Sequence, residues 1–428
     1  MNKWLVTLSF AAVSAVLPTH ASAVELTLWA PNNFTPAHAL PDVGELYQEL
    51  YDQFQAENPD IELNYELLPG GENALQQVLT AVGTGNLPDV AVLDGFWIAR
   101  LVQTGELQPL DDFWSEESRA LFAPGAVNEV TFDGNVYASW FYTAWRGLYY
   151  RKSVAESLGY SEVPTDLDEF LEFAAKAREA GMDAVLLPSV EGEATALHLE
   201  SMFWGLGGEL VDETGKPIFF ESENRDILAE VYGIYKTLVD EGYMRPDVAT
   251  LDEGGIRPYF YSGETALVAQ SSSSVVQMYT DMPDLEGDIA AVNYPLPDGA
   301  IATPVLVGWT YGMFADDPEK QAAAWKFIEF MIRPDNLGLI NESSGQLPVV
   351  EDIWNRDFFT SDPLMRQFKG IFDSGGMKAR PGVPIYPTLS AALSSQISSI
   401  IVGSKSIDQA IDDARDVVMA EYERQTNR

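Results

Sequence analysis

The chain has 428 residues, 46% of them hydrophobic, and carries 25 Lys and Arg against 65 Asp and Glu, a formal net charge of −40. That length supports two or three domains with a sizeable core, and the hydrophobic share excludes an acidic disordered chain. The charge repels nucleic acid and anionic membranes, and the absence of cysteine removes disulfides, thiolate metal sites and cysteine nucleophiles. In chain order, Lys3, an apolar run over 5–17 and Ala21-Ser22-Ala23 read as a secretory signal, residues 1–23. The run is too short to span a bilayer. A periplasmic chain beginning at Val24 is expected. The acids are spread along the chain, which suits a surface adapted to salt, where screening relieves self-repulsion.

A short apolar strand is expected over 25–29, ending at Asn32 and Asn33. Val43, Leu46, Tyr47, Leu50, Tyr51 and Phe54 recur at helical spacing and stop at Asn58-Pro59. A strand over 61–66, a helix over 73–82 and a buried strand over 88–93 follow, the last ending at Asp94, Phe96 and Trp97. Alternating strands and helices imply a mostly parallel sheet, and ligands sit beyond the carboxyl ends of such strands. Asn33, Asp94 and Trp97 occupy those ends. Turn chemistry and helix capping explain Asn33 and Asp94 equally well.

Between Trp140 and Tyr150 the chain concentrates Trp140, Phe141, Tyr142, Trp145, Tyr149 and Tyr150, interrupted by Arg146 and Gly147. This reads as a strand that leaves one packed unit, passes a cleft and enters a second. Aromatic rings at a cleft wall suit sugar rings or other planar, partly apolar ligands. The second unit repeats the pattern, with helices over 167–180, 194–206 and 224–240 and strands over 184–187 and 265–269. Ser271 to Ser274 end that last strand, with Ser273 a candidate donor to ligand or simply part of a helix cap. A strand over 304–312 carries Gly308 and Trp309. Helices over 319–332 and 335–342 follow, then a proline-punctuated tail with Arg380 and Tyr386, and two closing helices.

Several stretches together resemble the bacterial extracellular solute-binding proteins of family 1, sugar-type receptors of ABC importers. They include Phe54-Gln-Ala-Glu-Asn-Pro-Asp-Ile-Glu-Leu63, Gly105-Glu-Leu-Gln-Pro-Leu110, Asp133-Gly-Asn-Val-Tyr137, Leu148-Tyr-Tyr-Arg-Lys152, Phe260-Tyr-Ser-Gly-Glu-Thr-Ala266 and Gly345-Gln-Leu-Pro348. The resemblance covers essentially the whole mature chain. It implies an α/β, two-lobed periplasmic-binding-protein fold, with a mostly parallel sheet in each lobe. Three crossings, over 140–145, 303–309 and 348–355, form its hinge. The lobes would be 24–140 plus 304–350, and 141–303 plus 351–428. Carried over by position, the ligand wall comprises Asn33, Asp94, Trp97, Tyr142, Trp145, Arg146, Gly308, Trp309 and Tyr386. Trp145 and Trp309 are expected to face one cleft from neighbouring strands. Where many relatives carry Gly-x-Trp, this chain has the serine run, so one usual stacking ring is missing.

The function expected is a monomeric, non-enzymatic receptor that binds a sugar or small oligosaccharide and delivers it to an inner-membrane ABC permease. No cofactor, metal or catalytic residue is expected. Arg146 and Arg380 keep open an anionic ligand held in fork geometry, such as glycerol-3-phosphate or a uronate oligomer, and a glycosylated osmolyte. Structural ion pairs are the other reading of both. A two-carboxylate glycosidase is the competing class. His38 and His198 lack metal-ligand spacing, and His198 reads mainly as a packing residue.

Overall fold

Apolar alternation builds the first three strands, Val24–Pro31 (β1), Ile61–Leu68 (β2) and Val90–Asp94 (β3). In the computed structural model, which describes residues 23–69, 72–373 and 377–427, β1 lies parallel to both β2 and β3. The expected signal sequence falls, but for Ala23, outside the described residues. Helix Pro41–Glu57 (α1) joins β1 to β2. Its proline sits in the first turn, where no intrahelical N–H is required. It buries Val43, Tyr47, Leu50, Tyr51 and Phe54, the face expected from their spacing. Asn58 closes it by donating its side-chain amide to the Phe54 carbonyl at 3.0 Å. Helix Glu72–Thr84 (α2) leads to β3. Among the described residues no helix is long and apolar enough to cross a membrane.

Strand Ala138–Trp140 (β4) belongs to this first sheet, whereas Arg146–Arg151 (β5) belongs to a second. That sheet gains Asp183–Leu186 (β6), Thr265–Ser271 (β7) and Ile289–Val292 (β8). Around it lie helices Leu167–Glu179 (α3), Glu193–Gly205 (α4), Ser222–Asp240 (α5) and Glu253–Ser262 (α6). The chain then re-enters the first sheet as Trp309–Met313 (β9) and continues through helices Pro318–Met331 (α7) and Pro334–Ser344 (α8). Helices Pro363–Asp373 (α9), Tyr386–Ile401 (α10) and Ile407–Thr426 (α11) finish it, α10 and α11 packing on α5.

The strand orders are β2-β1-β3-β9-β4 and β8-β5-β7-β6. Each sheet carries one reversed strand, β9 in the first and β5 in the second. Both reversed strands are those by which the chain arrives from the other sheet. A strand reached without a βαβ crossover is free to run antiparallel. The rest of each sheet runs parallel, as the sequence pattern predicts, and its loops open at one end.

Between the sheets, buried Thr143 gathers three chain segments. Its N–H donates to Leu347 O at 2.8 Å and its carbonyl accepts from Leu347 N at 2.9 Å. Its hydroxyl donates to Val307 O at 2.8 Å, and Ala144 N reaches the same carbonyl at 3.1 Å. Expected strand 304–312 is broken here. Val305–Leu306 pairs with Lys378–Ala379, and pairing with β3 begins only at Trp309. Gly308 is the break, and a Cβ there would lie 2.1 Å from the Tyr142 carbonyl oxygen and 2.7 Å from the Trp140 ring. Its own carbonyl accepts from Gly95 N at 3.1 Å. Trp140, 1% exposed, is thus core between two glycines rather than cleft wall. Gly308→Ala should therefore lower stability by about 1–3 kcal/mol or more, through overpacking against backbone. Chemical denaturation reads this as a fallen midpoint, and an unchanged midpoint would contradict it.

Candidate functional site

Aromatic side chains collect at the carboxyl ends of β1 and β3. Phe34, from the turn Asn32–Phe34 after β1, packs its ring 5.1 Å from Trp309 and 5.9 Å from Tyr142. Trp97 lies edge-on to Trp309 at 5.3 Å, and the sheet register sets Trp309 opposite Asp94. Phe34, Trp97 and Tyr142 are buried, whereas Trp309 is only half-buried. Trp309 is therefore the ring of this group that keeps an accessible surface.

One guanidinium holds the polar side of the site. Arg380 is 2% exposed, and its Nη2 donates to Asp94 Oδ1 at 2.9 Å while Nη1 donates to Glu193 Oε1 at 3.0 Å. It also stacks over Phe96, 4.7 Å from the ring centroid. Asp94 ends a strand of the first sheet and Glu193 opens α4 beside the second, so the two bonds span both halves of the molecule. Burial opposes the charge on Arg380, but Asp94 and Glu193 outweigh it and hold the guanidinium protonated. The Tyr386 hydroxyl lies 3.1 Å from Glu193 Oε1 and 2.9 Å from each carboxyl oxygen of Glu200. Burial, helped by the charge of Glu193, pushes the Glu200 carboxyl well above the usual carboxylate range.

A second polar group lies on the side of the second sheet. Arg146, opening β5, donates Nε to Glu253 Oε1 at 2.9 Å. His198 Nε2 reaches the same oxygen at 2.9 Å, while its Nδ1 meets the Tyr294 hydroxyl. Burial lowers the His198 pKa despite Glu253 and keeps the ring neutral. A carboxylate only accepts, so Nε2 carries the proton and Nδ1 accepts from Tyr294. Burial raises the Glu253 pKa, but Arg146 and His198 outweigh it and bring the carboxyl to about 2. The Tyr142 hydroxyl feels Asp94, Arg146 and Arg380, which places it between the two groups.

The structure thus brings together Asp94, Trp97, Tyr142, Arg146, Trp309, Arg380 and Tyr386, with Gly308 behind them. Asn33 is exposed beside Phe34. Ser273 is half-buried in the turn Ser272–Ser274 after β7, two residues beyond Ser271, the register partner of Arg146, and its N–H donates to Ser271 Oγ at 3.3 Å. Trp145 is not part of the cluster. Its ring packs 5.3 Å from Phe368 and 5.8 Å from Tyr149, over Gly147, where a Cβ would lie 2.0 Å from it. The expectation that Trp145 and Trp309 share a wall is corrected. Successive side chains point to opposite faces, so directing Arg146 to the cleft turns Trp145 into the second lobe.

Phe34, Glu193, Glu200 and Glu253 were not singled out from sequence. Glu200 had a legible signal, a carboxyl in the middle of a helix rich in Leu, Met, Phe and Trp. Glu193 and Glu253 had none, in a chain with 65 acids. Glu253→Gln removes the anion shared by Arg146 and His198 and leaves a buried guanidinium unpaired, which should cost roughly 3 kcal/mol at neutral pH. The folded pKa of Glu253 lies below the unfolded value of about 4.3. Its stabilisation is present above that value and is lost as pH falls toward about 2. Acid titrations of stability should show a shallower fall in the variant than in the wild type. Equal slopes would contradict the pairing.

A family model described as bacterial extracellular solute-binding protein matches residues 38–337. The maltotriose-binding protein of Pyrococcus abyssi is 24% identical over 334 residues, covering 77% of this chain and 68% of that protein. The sn-glycerol-3-phosphate-binding periplasmic protein of Escherichia coli is 21% identical over 434 residues, covering 93% of this chain and 96% of that protein. Maltose-bound MalE3 of T. maritima superposes with a TM-score of 0.79 at 23% identity, covering 93% of this chain and 99% of that chain. The last likeness shows the two-lobed fold.

Proposed function

Because the chain belongs to the bacterial extracellular solute-binding protein family, we propose that it binds a neutral sugar or small oligosaccharide between its lobes and delivers it to an inner-membrane ABC permease. The lobes in this reading are 24–140 plus 304–350, and 141–303 plus 351–428. The segments gathered at Thr143 are the hinge, and ligand favours the closed form. The receptor is monomeric, periplasmic and non-catalytic.

The observation that carries the reading is the half-buried Trp309 face beside partly exposed carboxylates whose arginines are already paired. Side chains of Asp94, Glu193 and Glu253 keep 14–16% of their surface exposed. Carboxylates accept from sugar hydroxyls, and an indole face stacks on the apolar face of a pyranose. The relatives that bind maltotriose and maltose agree with this choice. An anionic ligand fits less well. Arg146 is committed to Glu253, and Arg380 to Asp94 and Glu193, so an anion would have to displace a carboxylate from each. The same commitment of Asp94 and Glu193 to one guanidinium argues against their service as an acid and nucleophile pair.

Calorimetry with maltose, maltotriose and glycerol-3-phosphate, alongside an assay for released glucose, tests the reading. A neutral sugar should bind without turnover. Binding of glycerol-3-phosphate alone, or sugar cleavage, would overturn it. Trp309→Ala should weaken sugar binding tenfold or more, about 1.4 kcal/mol. Trp145→Ala should instead cost roughly 3–5 kcal/mol of folding stability. Normal binding by the Trp309 variant would move the site elsewhere.

A further inference from the structure

Glu129 ends the short helix Pro124–Glu129, and both its carboxyl oxygens are buried with no hydrogen-bond partner among the described residues. The charged groups it faces are Arg380 and Asp94. Arg380, 2% exposed, gives Nη1 to Glu193 and Nη2 to Asp94, but its Nε is likewise buried and unpartnered. The two segments run side by side, for a Cβ on Gly382 would lie 3.6 Å from the Phe132 ring. Donors close by are spent elsewhere. Thr131 gives its hydroxyl to Val127 O at 2.7 Å, Tyr386 bonds Glu193 and Glu200, and Lys378 pairs with Glu209 at 2.8 Å. Glu193 Oε2 is also buried without a partner. Unused acceptors thus lie beside one unused donor, and buried polar groups left so are unfavourable.

The complement of this set has to donate and accept. An ether or carbonyl oxygen serves Arg380 Nε and leaves the carboxyl unmatched. A phosphate or carboxylate brings acceptors to a site that already has them in excess. An ammonium leaves the Nε hydrogen without an acceptor and crowds the guanidinium. Among the described residues no group of three or more acidic or histidine side chains could hold a metal ion. A hydroxyl both donates and accepts. Two hydroxyls on adjacent carbons reach both oxygens of one carboxylate. We propose that Glu129 and Arg380 Nε form a diol-reading subsite: adjacent hydroxyls of the sugar donate to the two Glu129 oxygens, and one of them accepts from Arg380 Nε. The subsite deepens the sugar-receptor reading and rests on it. In the lobes of that reading Glu129 belongs to the first and Arg380 to the second, so parting the lobes admits the diol between them. Glu129 is then a specificity residue, because a site built to bond a hydroxyl rejects the analogue that lacks it.

Calorimetry of the full mature chain with maltose, maltotriose and monodeoxy analogues of the sugar that binds tests the subsite. In the wild type, loss of either of two adjacent hydroxyls should weaken binding about tenfold or more. Glu129→Met, which keeps the bulk and removes both acceptors, should bind the parent sugar about tenfold weaker or more and should no longer distinguish it from those analogues. A merely structural role for Glu129 would lower affinity for parent and analogues alike and leave their ratio unchanged. An unchanged ratio, or unchanged affinity, would overturn the subsite, leave the pair with an ordered water only, and let the receptor reading stand. A wild type indifferent to every single hydroxyl would overturn it whether or not the variant folds. Failure of the wild type to bind either sugar would overturn the receptor reading and the subsite with it.

Discussion

A single buried guanidinium governs this molecule. Arg380 is almost without solvent contact, and a cation in that position is tolerable only with anionic partners at hydrogen-bond distance. Its partners come from opposite sides, Asp94 from the end of β3 and Glu193 from the start of α4. Neither lobe completes the shell alone. Separating the lobes takes one carboxylate away from Arg380, and water must replace it. Closing them restores the pair but compresses further carboxyl groups around one positive charge. The closed arrangement is therefore held by charge pairing and opposed by charge crowding, two terms of similar origin and opposite sign.

The topology explains why these groups meet. Parallel strands place their carboxyl ends, and the loops that follow, at one edge of each sheet. β1 delivers Phe34 there, and β3 delivers Asp94, Phe96 and Trp97. The two reversed strands are the complement of this arrangement. β9 starts at that edge with Trp309, and β5 starts there with Arg146. Each enters its sheet at the end where the neighbouring strand finishes, so its first residue lies beside that strand's last. Thr143 ties the connecting segments into a narrow seam without a flexible tether. A seam of this kind suits the lobe closure proposed for the receptor.

Much of the fold was legible because it follows from periodicity. The helical spacing of Val43 to Phe54 and the apolar run of β3 appear where expected. The strand over 304–312 did not survive, because periodicity carries no information about how near another backbone runs, and Gly308 is there for that approach. The site was legible only where chemistry coincided with a strand end, as at Asp94, Trp97, Arg146 and Trp309. Trp145 misled because its neighbour had the same appeal, and only the alternation of faces separates them. Glu193 and Glu253 stayed hidden for the opposite reason. In so acidic a chain a functional carboxylate looks like every other until burial and a partner distinguish it.

The most direct test of the shared guanidinium is a distance between the lobes. Nitroxide labels at Glu45 on α1 and Glu230 on α5, both exposed, sit on opposite lobes. Pulsed dipolar spectroscopy of the ligand-free chain measures their separation with Arg380 intact and in Arg380→Met, which keeps the bulk but not the charge. If the pairing of Asp94 and Glu193 through Arg380 holds the lobes together, the variant should show a longer and broader distribution. An identical distribution in the two proteins would contradict that role.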